Sequence, residues 1–190
     1  EGTTDATLYA FGMHLNPEHR GSAAEALRIA AAFAFAERWL RAEVPPDNAR
    51  RVTPFVDPYG EGYIRELGAA FDGRAPDLST FIALYGRHNP DRNRGLDLWP
   101  LLAHLDPEAA EAAHRGPISG ARPAFHYRLP DSLVSRPGWS PAAELDRWEI
   151  IEAAAADPAR FDALRLAALA HRAWLPGQSA YENAVAGILT

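Results

Sequence analysis

The segment Pro123-Ala124-Phe125-His126-Tyr127-Arg128-Leu129-Pro130-Asp131 decides how we expect this chain to fold. Successive side chains of a β-strand point to opposite faces of the sheet, so this segment predicts one apolar face and one polar face. The apolar face carries Phe125, Tyr127 and Leu129. The polar face carries Ala124, His126 and Arg128. Proline cannot donate to a sheet ladder, so the strand is predicted to lie between the two flanking prolines.

A second segment, Leu8-Tyr9-Ala10-Phe11-Gly12-Met13-His14-Leu15-Asn16, has the same alternation. Its apolar face carries Tyr9, Phe11, Met13 and Leu15. Its other face carries Ala10, Gly12, His14 and Asn16. The small residues on this second face allow a ligand to approach the backbone before it meets the imidazole and the amide. We therefore hypothesise that His14 and His126 line one site, and their placement on opposite sides of the molecule would refute the hypothesis.

The composition limits the classes of function. At 190 residues and 47% hydrophobic content, the chain is long enough for one domain with a real core. Its net charge is -6 and its 19 basic residues are scattered, which excludes a cationic track for nucleic acid or for an anionic membrane. Every basic residue is Arg, so Schiff-base chemistry and a phosphate-loop lysine are excluded. Anions must be held by Arg, His or backbone N–H groups.

The absence of cysteine excludes thiol nucleophiles, thiolate metal sites and disulfides. The longest apolar run, Ile29 to Ala36, is far shorter than the ~20 residues that span a bilayer. No segment at the start resembles a signal peptide, so a cytoplasmic location is expected. The chain begins with Glu1 rather than Met, and we expect it to be a processed or truncated piece of a longer protein.

Capping and proline signals predict an α-rich chain. Ser22 with Glu25 three residues later forms a capping-box pattern that starts a helix running to about Glu43. The helical spacing of its apolar residues leaves four charged side chains for solvent: Arg28, Glu37, Arg38 and Arg41. Further helices are predicted at about 62–71, 78–85, 141–156, 158–174 and 179–189, with a short one opened by Asp106-Pro107.

The predicted fold class is α+β, mostly helical with a few antiparallel strands. Two strands are too few for a stable sheet unless a helix covers them. The two predicted strands therefore either pair beneath the helices or belong to a larger sheet whose other strands lie in missing sequence.

The candidate site residues come from constellations, because the chain has no His-Glu-x-x-His, nucleophile elbow, phosphate loop or dinucleotide fingerprint. His14 with Asn16 lies on the accessible face of the first strand; the alternative is a histidine hydrogen-bonded in the core. His126 with Arg128 is costly to bury unless the two are paired or bound to a ligand. The alternative for this second pair is a structural ion pair with a helical carboxylate.

The loop Gly86–Gly95 is the most polar in the chain and runs into the apolar segment 96–102. A polar loop anchored on a buried segment often carries binding groups. Arg92 and Arg94 offer two guanidinium groups, with Asp97 close by, although either arginine alone fits an ordinary surface role equally well. Glu18 is a candidate ligand or merely a turn carboxylate.

Three phrases, Phe11–Glu18, His88–Asp97 and Phe125–Asp131, in this order and at these separations, resemble the amidoligase family. That family belongs to the carboxylate–amine ligases related to glutamine synthetase, and the resemblance runs from about residue 2 to residue 162. Gly12-Met13-His14 is similar to the strand that contributes to the nucleotide and substrate site. The segment 126–131 is similar to the strand that supplies a metal-binding carboxylate and a substrate-contacting arginine.

Two departures from the wider glutamine-synthetase pattern are visible. His126 stands where that pattern has its metal-binding carboxylate, and Mg²⁺ prefers oxygen ligands, so we expect His126 to bind a phosphate or a substrate oxygen. The Gly-x-Glu-x-Glu strand of the earlier half is absent. The chain therefore resembles the C-terminal half, with residues 1–190 forming a single domain that is the C-terminal part of an amidoligase-like catalytic domain and the strands forming part of a glutamine-synthetase-like sheet.

The resemblance implies ATP-dependent amide formation through an acyl phosphate, with ATP and Mg²⁺ as cofactors. The expected substrates are a small-molecule or peptide carboxylate and an amine. It assigns Arg128 and Arg94 to phosphate or carboxylate clamping, with Arg92 in support. The nucleotide or substrate contacts fall to His14, Asn16 and Glu18. His126 is expected to orient a phosphate or the incoming amine.

Two alternatives stay open. One is a non-catalytic helical binding or scaffold domain, which burial of His126 and Arg128 against carboxylates such as Glu144 or Glu149 would favour. The other is a degenerate ligase that binds its substrate without turnover. The identity of the acid and the amine and the oligomeric state do not follow from the sequence.

Overall fold

Five of the other described helices pack on the long helix α1 (Ala23–Glu43). The computed structural model describes residues 13–43, 56–129, 137–171 and 178–190. The remaining helices are α2 (Glu61–Ala70), α3 (Leu78–His88), α4 (Trp99–Leu105), α5 (Pro107–His114), α6 (Ala142–Ala156), α7 (Pro158–Ala170) and α8 (Gln178–Leu189). Two short strands, β1 (Leu96–Asp97) and β2 (His126–Tyr127), complete the described elements. The α+β, mostly helical class predicted from the sequence is confirmed.

The helix starts follow the predicted capping chemistry. The Ser22 backbone N–H donates to Glu25 Oε2 at 2.6 Å, and the Glu25 N–H donates to Ser22 Oγ at 3.2 Å, which is a complete capping box. Asp77, Asp106 and Asp157 each accept a backbone N–H at the start of α3, α5 and α7. Side-chain caps therefore satisfy donors that the first turn of a helix leaves unpaired.

Helix α1 is buried almost all round rather than along one stripe. Its small alanines and the rings of Phe33 and Phe35 pack against α6, α7 and α8. The prediction that Glu37 faces solvent is wrong, because only 3% of this residue is exposed. Arg28 is also half-buried: its Nε donates to the Ala155 carbonyl at 2.9 Å, and its guanidinium lies over a ring of α7. Helices far away in sequence cover the face that α1 was expected to turn to water.

The two strands pair antiparallel, with Leu96 opposite Tyr127 and Asp97 opposite His126. Residues 13–16, the described end of the predicted first strand, lie on the other side of β2, where Leu15 and Tyr127 exchange backbone hydrogen bonds of 3.0 and 2.9 Å. Residues 1–12, which include most of that predicted strand, lie outside the described residues. The two segments highlighted in the sequence therefore meet at β2.

The apolar face of β2 packs on the helices, as its alternation predicts. Phe125 and Tyr127 are each 1% exposed, and their rings lie 5.0 and 5.6 Å from the ring of Trp148 on α6. Phe33 of α1 also contacts Tyr127, with 5.6 Å between ring centroids. The helices thus hold one face of β2, and the polar side chains lie on the other.

None of the helices in the described ranges is long and apolar enough to cross a membrane.

Two features differ from what the sequence predicts: one helix that was not predicted, and the end of another helix. The apolar segment 96–102 was expected to be buried, but no helix was assigned to it, and the structure places α4 there. A short apolar run cannot be assigned to helix or strand from its periodicity. Helix α7 ends at Ala170, and the end of its predicted range, 172–174, falls outside the described residues.

Candidate functional site

The two histidines of the central hypothesis are in contact. His14 Nδ1 lies 3.1 Å from His126 Nε2, and their rings meet edge to face with centroids 4.8 Å apart. The pairing of Leu15 with Tyr127 brings them together, because each histidine directly precedes one of the paired residues. The placement of His14 and His126 at one site, predicted from strand alternation alone, is thus what the structure shows.

Asp97 is the buried carboxylate beneath this pair, with 1% of the residue exposed. The register of β1 and β2 places it opposite His126, whose Nδ1 lies 3.2 Å from Asp97 Oδ2. Arg92 Nε donates to the same oxygen at 2.8 Å, and the Trp99 backbone N–H donates to Oδ1 at 3.1 Å. We call His14, His126, Asp97 and Arg92 the histidine cluster.

The electrostatics of the histidine cluster favour an ionised Asp97. Burial alone raises the pKa of this carboxyl group, but the hydrogen bonds from His126 and Arg92 outweigh burial and lower the pKa. An ionised carboxylate only accepts hydrogen bonds, so the proton between the two side chains resides on His126 Nδ1. In the neutral form of His126 with the proton on Nδ1, Nε2 is a hydrogen-bond acceptor for His14 Nδ1. In that form the hydrogen bonds run from His14 through His126 to Asp97.

The arginines of the polar loop differ in what they contact. Arg92 keeps 34% of its side chain exposed while it bonds Asp97 and, through Nη1, the Ser119 carbonyl at 3.1 Å. Arg128 Nη1 donates to the Arg92 carbonyl at 2.6 Å, and the Arg128 backbone N–H donates to the Gly95 carbonyl at 2.8 Å. Arg128 therefore joins β2 to the loop that carries Arg92.

The described side-chain hydrogen bonds of Arg94 are within its own loop and do not include the histidines. Its Nε donates to the buried Asn89 at 2.9 Å, its Nη1 donates to the Asn93 carbonyl at 2.9 Å, and only 11% of the side chain is exposed. Glu18 pairs with the exposed Arg20 at 2.6 Å. These contacts tie both groups locally, and the binding roles predicted for Arg94 and Glu18 stay predictions.

Two polar residues near the site were not singled out in the sequence. Arg122 Nη2 donates to the Asn16 amide oxygen at 2.7 Å, and Ser119 contacts Arg92. The alternation of β2 could have indicated Arg122, because counting back in twos from Arg128 passes through 126 and 124 to 122. No comparable signal exists for Ser119, which reaches the site through a loop contact.

Gly95 and Glu37 anchor the start of β1. A Cβ at Gly95 would lie 2.8 Å from Leu129 Cδ2 and 2.9 Å from Glu37 Oε1, so a larger residue there requires these two side chains to shift. Glu37 accepts the Tyr59 backbone N–H at 2.8 Å, and the Tyr59 hydroxyl donates to the Leu96 carbonyl at 2.6 Å. A buried carboxylate of α1 thus fixes the strand that positions Asp97.

The described residues do not form a magnesium site. Within these ranges no group of three or more histidines and carboxylates is arranged to hold a metal ion. Both oxygens of Asp97 are already taken by hydrogen bonds, and imidazoles are poor ligands for Mg²⁺. The described donors therefore do not fit Mg²⁺, and we derive no step through a metal.

The described contacts of His126 and Arg128 do not include Glu144 or Glu149, the carboxylates that the scaffold alternative names, and that alternative stays open. The carboxylate that meets His126 is Asp97 of β1, whereas Glu144 of α6 bonds Arg147 at 2.7 Å. His126 keeps 14% of its side chain exposed, and the described side-chain bond of Arg128 goes to a backbone carbonyl.

The fold and the site define an α+β protein with an Asp–His–His chain, flanked by arginines, on a short antiparallel sheet. A family model described as "Putative amidoligase enzyme" matches residues 1–150, most of the chain, and the chain belongs to this amidoligase family. The match includes all of the histidine cluster and Arg128, whereas α7 and α8 lie beyond it. Neither the curated proteins nor the solved structures gave a match.

Proposed function

We propose that the chain acts in ATP-dependent joining of a carboxylate to an amine through an acyl phosphate. The observation that carries the proposal is the series of contacts from His14 through His126 to Asp97, with Arg92 and Arg128 beside it. It lies inside the part of the chain that matches the amidoligase family. The family supports a ligase, and the cluster supplies the proton acceptor and the cationic groups that the two chemical steps need.

The first proposed step is phosphoryl transfer. A carboxylate oxygen of the acid attacks the γ-phosphorus of ATP, the bond to the β,γ-bridging oxygen breaks, and ADP leaves. Charge on the transferring group is stabilised by positioned cations. Arg128 is the candidate for this task, with Arg92 held in place by Asp97 and partly open to solvent. ATP places the proposed reaction in the cytoplasm.

The second proposed step is amide formation. The amine nitrogen attacks the acyl carbon, the carbon–oxygen bond to phosphate breaks, and the nitrogen loses one proton. The His14–His126 pair is the candidate acceptor of that proton, because imidazole is the side chain that most often accepts protons in catalysis and His126 contacts Asp97. The same contact fixes the ring orientation, which lowers the entropic cost of proton transfer. The acid and the amine are small molecules or peptides.

Trapping of the acyl phosphate tests the proposal. The intact protein is incubated with ATP, Mg²⁺, hydroxylamine and a panel of amino-acid and dicarboxylic acids, and hydroxamate and ADP are measured. We expect both products, and we expect a decrease of at least about 100-fold in Arg128→Ala, the loss typical of removing a group that stabilises transition-state charge. The exposed His104 on α4 provides a control, since His104→Ala leaves the cluster intact.

Two results would change the conclusion. Undiminished hydroxamate in a folded Arg128→Ala variant would contradict the role of this arginine. Binding of ATP by the unaltered intact protein with neither hydroxamate nor ADP would favour the degenerate ligase, which binds without turnover.

A further inference from the structure

A cavity of about 620 Å³ lies between four helices and is lined by none of the histidine cluster. Its described walls come from the C-terminal half of α1, the start of α2, the end of α7 and the start of α8. Its volume falls in the range of small-molecule sites, about 300–1,000 Å³. Five of the 16 described lining residues lie in or beside helices α7 and α8, outside the residues that match the amidoligase family.

Six acidic or arginine side chains line the cavity, and four of them have no ionic partner among the described residues. Glu37 and Arg41 pair with each other at 2.8 Å and so neutralise one another. The remaining lining charges are Arg38, Arg65, Glu61 and Glu182. None of these four forms a hydrogen bond or an ion pair with another described residue. Two cationic groups and two anionic groups are therefore available to a ligand.

Three of the four charges act on one residue of the wall, His171. Burial lowers the pKa of His171, Arg38 lowers it further, and Glu61 and Glu182 oppose them. These three groups therefore act on the same imidazole. Its Nε2 is buried and has no hydrogen-bond partner among the residues that the structure describes, so a polar atom is available at the wall. The mixed charge makes a purely anionic ligand a poor fit, because it would meet the two carboxylates as well.

The rest of the wall is apolar. It includes Ala34 of α1, Ile64 of α2 and Leu169 of α7. The Tyr181 hydroxyl donates to the Phe35 carbonyl, which holds the tyrosine ring at the wall. An apolar side chain of a ligand would be removed from water here, at about 25 cal/mol per Å² of buried area.

We propose that this cavity is a binding site for a short zwitterionic peptide, of dipeptide size, with apolar side chains. Its carboxylate is held by Arg38 and Arg65, its ammonium group by Glu61 and Glu182, and its side chains lie against the apolar wall. The guanidinium fork suits a carboxylate, and charge-assisted hydrogen bonds fix both ends. This proposal does not depend on the ligase chemistry.

Calorimetric titration of the 190-residue chain with L-leucyl-L-leucine, without ATP, tests the proposal. Two blocked forms serve as controls: the N-acetyl dipeptide lacks the ammonium group, and the C-terminal amide lacks the carboxylate. We expect saturable binding of the free dipeptide at a 1:1 ratio, weakened about tenfold or more by either block. Equal affinity for the N-acetyl form would overturn the proposal, because the two carboxylates would then play no part.

Matched arginine variants locate the binding. Arg38→Gln should weaken dipeptide binding about tenfold or more, whereas the same change at the exposed Arg74, outside the cavity, should leave the affinity within twofold. Circular dichroism and the melting temperature establish that each variant is folded. Unchanged affinity in folded Arg38→Gln, or absence of dipeptide binding to the unaltered chain at millimolar concentration, would refute the site.

Discussion

Replacement of Asp97 by Asn removes one charge from the centre of the histidine cluster at constant shape. The buried carboxylate accepts two side-chain hydrogen bonds, from Arg92 at 2.8 Å and from His126 at 3.2 Å. Hydrogen bonds to charged groups contribute about 1.5–3 kcal/mol each. The asparagine amide keeps one acceptor oxygen, and the partly exposed Arg92 recovers some solvation. We therefore expect Asp97→Asn to lower the free energy of unfolding by about 2 kcal/mol.

Urea unfolding at pH 7, followed by tryptophan fluorescence, measures this loss. A change of about 2 kcal/mol corresponds to about 4–8 °C in melting temperature for a chain of this size. The same substitution at the exposed Asp146 on α6 is the control, with an expected change within about 0.5 kcal/mol. Equal effects of the two substitutions would refute the account of Asp97 as a charged anchor.

The pH dependence of the Asp97→Asn effect follows from the direction of the pKa shift. Burial raises the pKa of Asp97, but its hydrogen bonds outweigh burial, so the pKa is lower in the folded chain than in the unfolded chain. As the pH falls, the unfolded chain therefore takes up this proton first. The stabilisation is fully present above the ordinary carboxyl pKa near 4 and is lost as pH falls through the lowered pKa. The difference between the unaltered chain and Asp97→Asn should therefore persist from pH 7 to 5 and decrease below about pH 4.

Three further predictions concern stability. Glu37→Ala should lower the free energy of unfolding by about 3 kcal/mol, because the Arg41 guanidinium and the Tyr59 backbone N–H both lose their buried acceptor. The same change at the exposed Glu43 should have little effect. Gly95→Ala should lower the free energy of unfolding by about 1–3 kcal/mol, because the added Cβ meets Leu129 and the Glu37 carboxylate, whereas Gly116→Ala, whose Cβ meets open space, should lower it far less. Urea unfolding measures the Glu37/Glu43 pair and the Gly95/Gly116 pair. Equal losses of unfolding free energy within either pair would contradict the account. Burial and Arg38 lower the pKa of His171, so stability present above about pH 6.5 falls as pH drops through the lowered pKa; His171→Gln should reduce the loss of melting temperature between pH 8 and 5, and an unchanged loss would exclude this histidine as its source.

Local chemistry in the sequence predicted much of this fold. The capping box at Ser22 and the Asp-Pro pairs before α5 and α7 fix helix starts through contacts within four residues, so they are visible without tertiary structure. Alternation along the strand segments likewise assigned Phe125 to the core and His126 to the polar face. These predictions depend only on neighbours in sequence.

Long-range packing decided the features that were missed. Glu37 appears solvent-facing on a helical projection of α1, but distant helices cover that face and Tyr59 supplies a backbone donor. Asp97 reaches His126 across 29 positions only because β1 and β2 pair in one register. Nothing in the local sequence specifies that register, so Asp97 was noted as a neighbour of the arginines rather than as the centre of the cluster.

Titration of the chain with ATP and Mg²⁺ by calorimetry tests the central claim most directly, namely that the polar face of β2 forms a nucleotide site. The unaltered chain, Arg128→Ala and the surface control Arg74→Ala are compared, with circular dichroism to establish folding. The account predicts saturable binding that Arg128→Ala weakens at least about tenfold and Arg74→Ala leaves unchanged. Equal binding by all three folded proteins, or none by the unaltered chain, would contradict it.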